Sequence, residues 1–153
     1  MTEEVLMQVM PEHRCVVVGV DGSPNSIAAL RRSAREALSR HARLDVVHVL
    51  EPGESSTPRL WRAAREWLRL RDLVARTIPR SQHLTTRLRI VYGVAGEALV
   101  EAAKHAELLV IGARFSSEHG GLFGGDTVPV VRDRAPCQLV ICADQTTDST
   151  ASL

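Results

Sequence analysis

Apolar residues in this chain fall into short continuous runs, separated by longer stretches in which they recur every three or four positions. The runs occupy residues 15–20, 44–50, 88–92, 108–111 and 137–142. Runs of this length without strict alternation suit strands buried on both faces, as in a parallel sheet. The run at 88–92 is broken by Arg89, which predicts a strand at the sheet edge. Helical spacing fills the intervals. Asp21-Gly22-Ser23-Pro24 offers Ser23 as an N-cap and Pro24 as a first helical residue, and Ile27, Leu30, Ala34, Ala37 and Leu38 follow, predicting a helix over about 24–41. A second helix, at about 58–78, carries Leu60, Ala64, Trp67, Leu70 and Val74 on the stripe expected to face the core. Ala98, Leu99 and Ala102 mark a third at about 96–105. A Gly/Ser-rich connection over 113–124 precedes a fourth at about 126–134. Residues 1–13 read as an N-terminal arm, 14–143 as one domain, and 144–153 as a flexible Ser/Thr/Asp-rich tail.

Strand and helix alternate through the whole domain, which predicts an α/β fold: an open parallel sheet with helices on both faces. In such sheets ligands bind outside the carboxyl ends of the strands, where the winding direction reverses. Two segments meet that condition, Asp21-Gly22-Ser23 and the chain from Gly112 onward.

Composition narrows the function classes. The 153 residues are 44% hydrophobic, 24% charged and only 3% aromatic, which excludes disorder and requires a core of Val, Leu, Ile and Ala. A net charge of +1 gives no global reason to expect nucleic acid or an anionic membrane, and neither is expected as a partner. Arg59, Arg62, Arg65, Arg69, Arg71 and Arg76 crowd the second helix and could form an anion-binding face; with Glu66 and Asp72 among them, they read instead as a solvated face. No apolar run reaches the roughly 18 residues of a membrane span, and Met1-Thr2-Glu3-Glu4 lacks the basic start of a secretory signal, so the expected location is cytoplasmic. Cys15, Cys137 and Cys142 have no metal or redox spacing and read as buried thiols. A Walker lysine, a metal-spaced histidine pair and a nucleophile elbow are all missing, so no catalytic and no metal residues are assigned. His48 at a strand end reads as a structural histidine, and His119 in the glycine-rich connection as the histidine best placed to meet a ligand.

Val18-Gly19-Val20-Asp21-Gly22-Ser23, the strand ending in His48-Val49, the run Leu108-Leu109-Val110-Ile111-Gly112-Ala113-Arg114 and Ala135-Pro136-Cys137 occur in an order and spacing that resemble the universal stress protein family over 14–143. The resemblance implies a Rossmann-like five-stranded sheet in the order 3-2-1-4-5, a homodimer through the last strand (137–142), and a role in stress survival. An apolar closing strand left as an open edge would itself favour pairing with a second copy. Carried over residue by residue, Asp21 and Val49 would border an adenosine and Ile111 and Gly112 the base and first phosphate; Gly19, Val20, Arg114, Gly125, Asp126 and Thr127 complete the candidate nucleotide-binding set, Arg114 as a candidate phosphate partner.

The ATP-binding branch of the family carries glycine, two residues, glycine, nine residues, then glycine followed by Ser or Thr. Gly112 and Gly125 have the outer spacing, but the inner glycine is Phe115 and the hydroxyl position is Asp126. A glycine there lets backbone N–H groups approach phosphate unobstructed. A ring obstructs them, and a carboxylate about 4 Å from a phosphate charge repels it by roughly 1 to 4 kcal/mol, or about one to three decades in affinity. The reading is a non-enzymatic stress-type module with a degenerate phosphate loop, acting by partner or small-ligand binding and without an assured cofactor. The alternative is an ATP- or AMP-binding protein with slow hydrolysis. It would use Asp21, Val49, Gly112, Gly125 and Thr127, the last supplying the hydroxyl after a one-residue slip in a loop that still holds Gly120, Gly121 and Gly124.

Overall fold

The computed structural model describes residues 14–52, 58–79, 83–113 and 121–143, with the backbone alone over 121–126. The segments read as an arm and a tail lie outside the described residues, as do Arg114, Phe115 and His119. Nine elements alternate: β1 (Cys15–Gly19), α1 (Pro24–Arg40), β2 (Arg43–Leu50), α2 (Arg59–Thr77), β3 (Thr86–Tyr92), α3 (Ala95–Ala102), β4 (Leu108–Gly112), α4 (Gly121–Arg134) and β5 (Gln138–Cys142). The strands form one sheet in the order β3-β2-β1-β4-β5, parallel throughout. β3, with its broken apolar run, is an edge strand, and β5 is the other edge.

The order follows from handedness. Moving outward from β1 through β2 to β3, and then back across to β4 and β5, reverses the direction of winding. Right-handed crossovers therefore place α1 and α2 on one face and α3 and α4 on the other. Side chains of β1 and of Val20 just after it divide accordingly. Val16, Val18 and Val20 pack with Leu30, Ala34 and Ala37 of α1 and Leu70 of α2. Cys15 and Val17 pack with Ala98 and Leu99 of α3 and Val131 of α4. Val16, Val17 and Val18 are all 0% exposed, each contributing on the order of 1.5 to 3 kcal/mol of hydrophobic stabilisation.

Ser23 caps α1, its Oγ accepting from Ser26 N at 3.3 Å, and Pro24 opens the helix. The face of α1 against the sheet is built largely from small residues, Ser26, Ala29, Ser33, Ala34 and Ala37, so the helix lies close to the strands. Ile27 and Leu38, from the anticipated stripe, flank that face half-buried.

Two expectations change. On α2 the inward residues are Leu70, with Leu73 and Val74 beside it, whereas Leu60, Ala64 and Trp67 are exposed. This helix is apolar around much of its circumference, so periodicity alone did not orient it; contact with Leu84, Leu88 and Ile90 did. α4 begins at Gly121, not near 126. Three glycines in its first turns, each about 1 kcal/mol worse than Ala, made that stretch read as a connection, and packing of Val131 against the α3 face offsets the weak propensity. Among the described residues no helix is long and apolar enough to cross a membrane.

A buried carboxylate lies within β2, where the sequence shows Asp45 and His48 as the polar residues of an apolar run. Asp45 is 2% exposed and meets Arg43 Nε at 2.7 Å, with Arg87 at 3.3 Å and Arg89 at 3.9 Å from β3. Cys15 lies beside it, and burial, reinforced by Asp45, pushes its thiol up to about 11. The three cysteines are free; Cys15 is buried, while Cys137 and Cys142 are half-buried.

Candidate functional site

The winding reversal falls between β1 and β4, and the strand registers bring the anticipated residues to one end of the sheet. Gly19 pairs with Val47 and Val18 with Val110, so the carboxyl end of β1 stands between those of β2 and β4. Gly19, Val20 and Asp21 therefore lie beside Val49 on one side and beside Ile111 and Gly112 on the other. Val20, Val49 and Ile111 are buried, at 2%, 5% and 0% exposure, and also serve the core.

Asp21 organises the turn after β1. Its Oδ1 accepts from Ser23 N at 3.0 Å and from the Ser26 hydroxyl, while its own N–H donates to Ser26 Oγ at 2.9 Å. Gly22 completes the turn with a left-handed φ of +85°, open to glycine without steric cost. Gly112 is held by a different constraint. A Cβ there would stand 2.8 Å from Asn25 Cβ and 3.0 Å from Asn25 C, so only glycine lets β4 approach the first turn of α1 this closely. Asn25 is 5% exposed, and its Oδ1 has no hydrogen-bond partner. An unsatisfied buried acceptor costs about 1 to 3 kcal/mol, which a donor from a ligand would recover.

On the α2 side a cleft of about 330 Å³ opens against Val20, Asp21, His48, Glu66, Arg69 and Arg76. His48 Nδ1 lies 2.8 Å from Val20 O, and because a carbonyl only accepts, Nδ1 carries the proton. Nε2 then faces Glu66 Oε2 at 3.6 Å, and Glu66 Oε1 accepts from Arg69 at 2.9 Å. The histidine is thus oriented by the backbone, as a structural residue would be, and presents its second nitrogen to a carboxylate. The cleft carries both signs of charge, lined by Asp21 and Glu66 and by Arg69 and Arg76. The Ser26 hydroxyl next to Asp21 donates to the Asp21 carboxylate and accepts from the Ser23 hydroxyl of the cap. Among the described residues no group of three His, Cys, Asp or Glu side chains is placed to hold a metal ion.

Thr127 is 3% exposed and lines a separate cavity of about 300 Å³ with Ala95, Gly96 and Val130, where α4 crosses the start of α3. Gly125 lies in the first turns of α4, as does Asp126, whose side chain is outside the described residues. Asn25 was not singled out from sequence, and Glu66, Arg69 and Arg76 were read there as part of a solvated helix face. Glu66 carried a usable signal, since an acid four positions before Leu70 shares the inward side of an otherwise cationic helix. Asn25 carried none, because its partner Gly112 is distant in the chain.

The sequence profile described as the Universal stress protein family matches residues 13–143. This chain belongs to the universal stress protein family. Universal stress protein Rv2624c of Mycobacterium tuberculosis is 27% identical over 132 residues, covering 86% of this chain and 48% of the relative. The chain thus spans about half the length of the mycobacterial relatives it matches. A universal stress protein of Thermus aquaticus is 30% identical, over 84% of this chain and 97% of that relative. Among solved structures, a universal stress protein in complex with cAMP superposes with a TM-score of 0.64 at 28% identity, covering 84% of this chain and 95% of that one. The five-stranded order seen here is the universal stress protein fold.

Proposed function

We propose that this universal stress protein domain is a non-enzymatic binding module whose crevice, at the carboxyl ends of β1 and β4, takes an adenosine ligand bearing one phosphate and disfavours ATP. The carrying observation is the convergence of Asp21, Val49 and Gly112 at the winding reversal, with the buried Asn25 Oδ1 lacking a partner beside Gly112. The 28%-identical neighbour bound to cAMP supports a monophosphate ligand on this fold. Phe115 and Asp126, standing where a glycine and a hydroxyl would receive further phosphates, oppose a triphosphate. Asp21, tied into its turn, and His48, anchored on Val20 O, act in this reading by shaping the crevice. The module works as a cytoplasmic homodimer joined through β5, a reading supported by the position of that strand at the sheet edge.

Calorimetry of the purified protein with AMP, cAMP and ATP tests the proposal. AMP or cAMP is expected to bind at least tenfold more tightly than ATP. The double variant Phe115→Gly with Asp126→Ser should raise ATP affinity by about one to three decades. Micromolar ATP binding by the unaltered protein that equals or exceeds AMP and cAMP binding would overturn the ligand preference. Silence with all three nucleotides would overturn the adenosine reading itself.

A further inference from the structure

The buried side of α2 accounts for Leu70, Leu73 and Val74, yet the helix carries a second apolar stripe pointing away from the sheet. Trp61, Ala64, Leu68 and Ala75 recur at helical spacing on the side opposite Leu70, and all four are exposed. Trp61 is 70% exposed and Leu68 47%, with Leu60 at 79% on the adjoining shoulder. Large apolar side chains clustered in this way on a surface helix mark a contact surface. Arginines border the stripe on both sides, Arg65, Arg69 and Arg76 along one and Arg71 along the other. Arg71 also lies over the Trp67 ring at 5.7 Å. One carboxylate, Asp72, interrupts the C-terminal half. In all, the helix holds six arginines and two acids, a net charge of +4 in a chain whose total is +1. Composition averaged over the chain conceals this concentration.

We infer that the outer face of α2 docks on an anionic lipid surface, lying in the plane of the interface. Charge complementarity selects this occupant. A second copy of the same helix would bring +4 against +4. Nucleic acid would satisfy the arginines and leave Trp61, Leu60 and Leu68 in water. An anionic bilayer meets both needs, since the apolar stripe enters the acyl boundary while the flanking guanidinium groups reach the headgroups. The inference does not depend on what occupies the nucleotide crevice.

Trp61 and Trp67 are the protein's two tryptophans, so fluorescence excited selectively at tryptophan reports on this helix alone. The full chain is titrated with vesicles of phosphatidylglycerol and phosphatidylcholine in equal parts, with pure phosphatidylcholine vesicles as the comparison. A blue shift, with quenching by brominated acyl chains, is expected on the anionic vesicles only. Arg65→Gln with Arg71→Gln should weaken partitioning about 25-fold, each arginine near such a surface contributing about fivefold. Leu68→Glu should weaken it at least tenfold, and both variants alter exposed positions, so an unchanged thermal melt shows that the fold is intact. Any of four outcomes overturns the inference: no shift on anionic vesicles, an equal shift on neutral ones, a response to polyglutamate without a response to vesicles, or light scattering in which Leu68→Glu dissociates an oligomer while vesicles do nothing. The last two would assign the face to an acidic protein and to a second copy, respectively.

Discussion

Replacing Gly112 by alanine adds one methyl group at the point where β4 meets α1. The new Cβ would fall 2.8 Å from Asn25 Cβ, 3.0 Å from Asn25 C and 3.1 Å from Asn25 O. None of these atoms is the free end of a flexible side chain, so relief requires the first turn of α1 to shift as a body. That turn is fastened by Ser23, by Asp21 and by a face packed tightly on the sheet. Overpacking of this kind costs about 1 to 3 kcal/mol, which in a domain of this size lowers the melting temperature by about 3 to 10 °C. Gly22→Ala is the informative comparison. It has nothing within 4 Å of the added methyl, and its φ of +85° makes the penalty one of backbone conformation, about 1 to 2 kcal/mol. Calorimetric melts of both variants, with AMP titrations alongside, separate the two causes. Gly112→Ala should lose both stability and nucleotide binding, because the displaced turn carries Asp21 and Asn25. A Gly112→Ala protein that melts like the parent would refute the close approach of β4 and α1 and the crevice geometry built on it.

Asp45→Asn removes the charge that gathers Arg43, Arg87 and Arg89; because those arginines are partly exposed, the loss in urea denaturation should be about 1 to 3 kcal/mol and not the larger penalty of a fully buried pair. Burial lifts the Cys15 thiol from an ordinary 9.0 to about 11, so the folded state holds that proton more tightly than the unfolded chain does. The corresponding stability is complete below pH 9 and is lost as pH rises through 11, up to about 3 kcal/mol. Cys15→Ala should flatten this alkaline decline in urea midpoints measured at both ends of the range; an unchanged slope would exclude the thiol as its source. The edge strand β5 should make the protein dimeric, and multi-angle light scattering that finds a monomer at about ten micromolar would rule that out.

The fold was largely legible because its strands are short apolar runs and its helices are periodic. Val16–Val18 admit no partly solvated strand, and Ser23-Pro24 admits little but a helix start. Where legibility failed, the residues had more than one acceptable neighbour. α2 is apolar on two sides, and only the position of Leu84, Leu88 and Ile90 decided that Leu70 and Leu73 face inward. The first turns of α4 are too rich in glycine to declare a helix by propensity.

The same division runs through the site. The chain by itself determined the turn at Asp21-Gly22-Ser23, since local hydrogen bonds and a left-handed glycine need no distant partner. It also determined the departures Phe115 and Asp126, which are identities and not positions. Only the tertiary structure decided that Gly112 must be glycine because of Asn25, that His48 is fixed by Val20 O and faces Glu66, and that Asp45 is gathered among arginines of a neighbouring strand. Local backbone preferences act over a few residues and are written in sequence order, whereas these contacts join segments tens of residues apart, and parallel pairing through intervening helices brings them together.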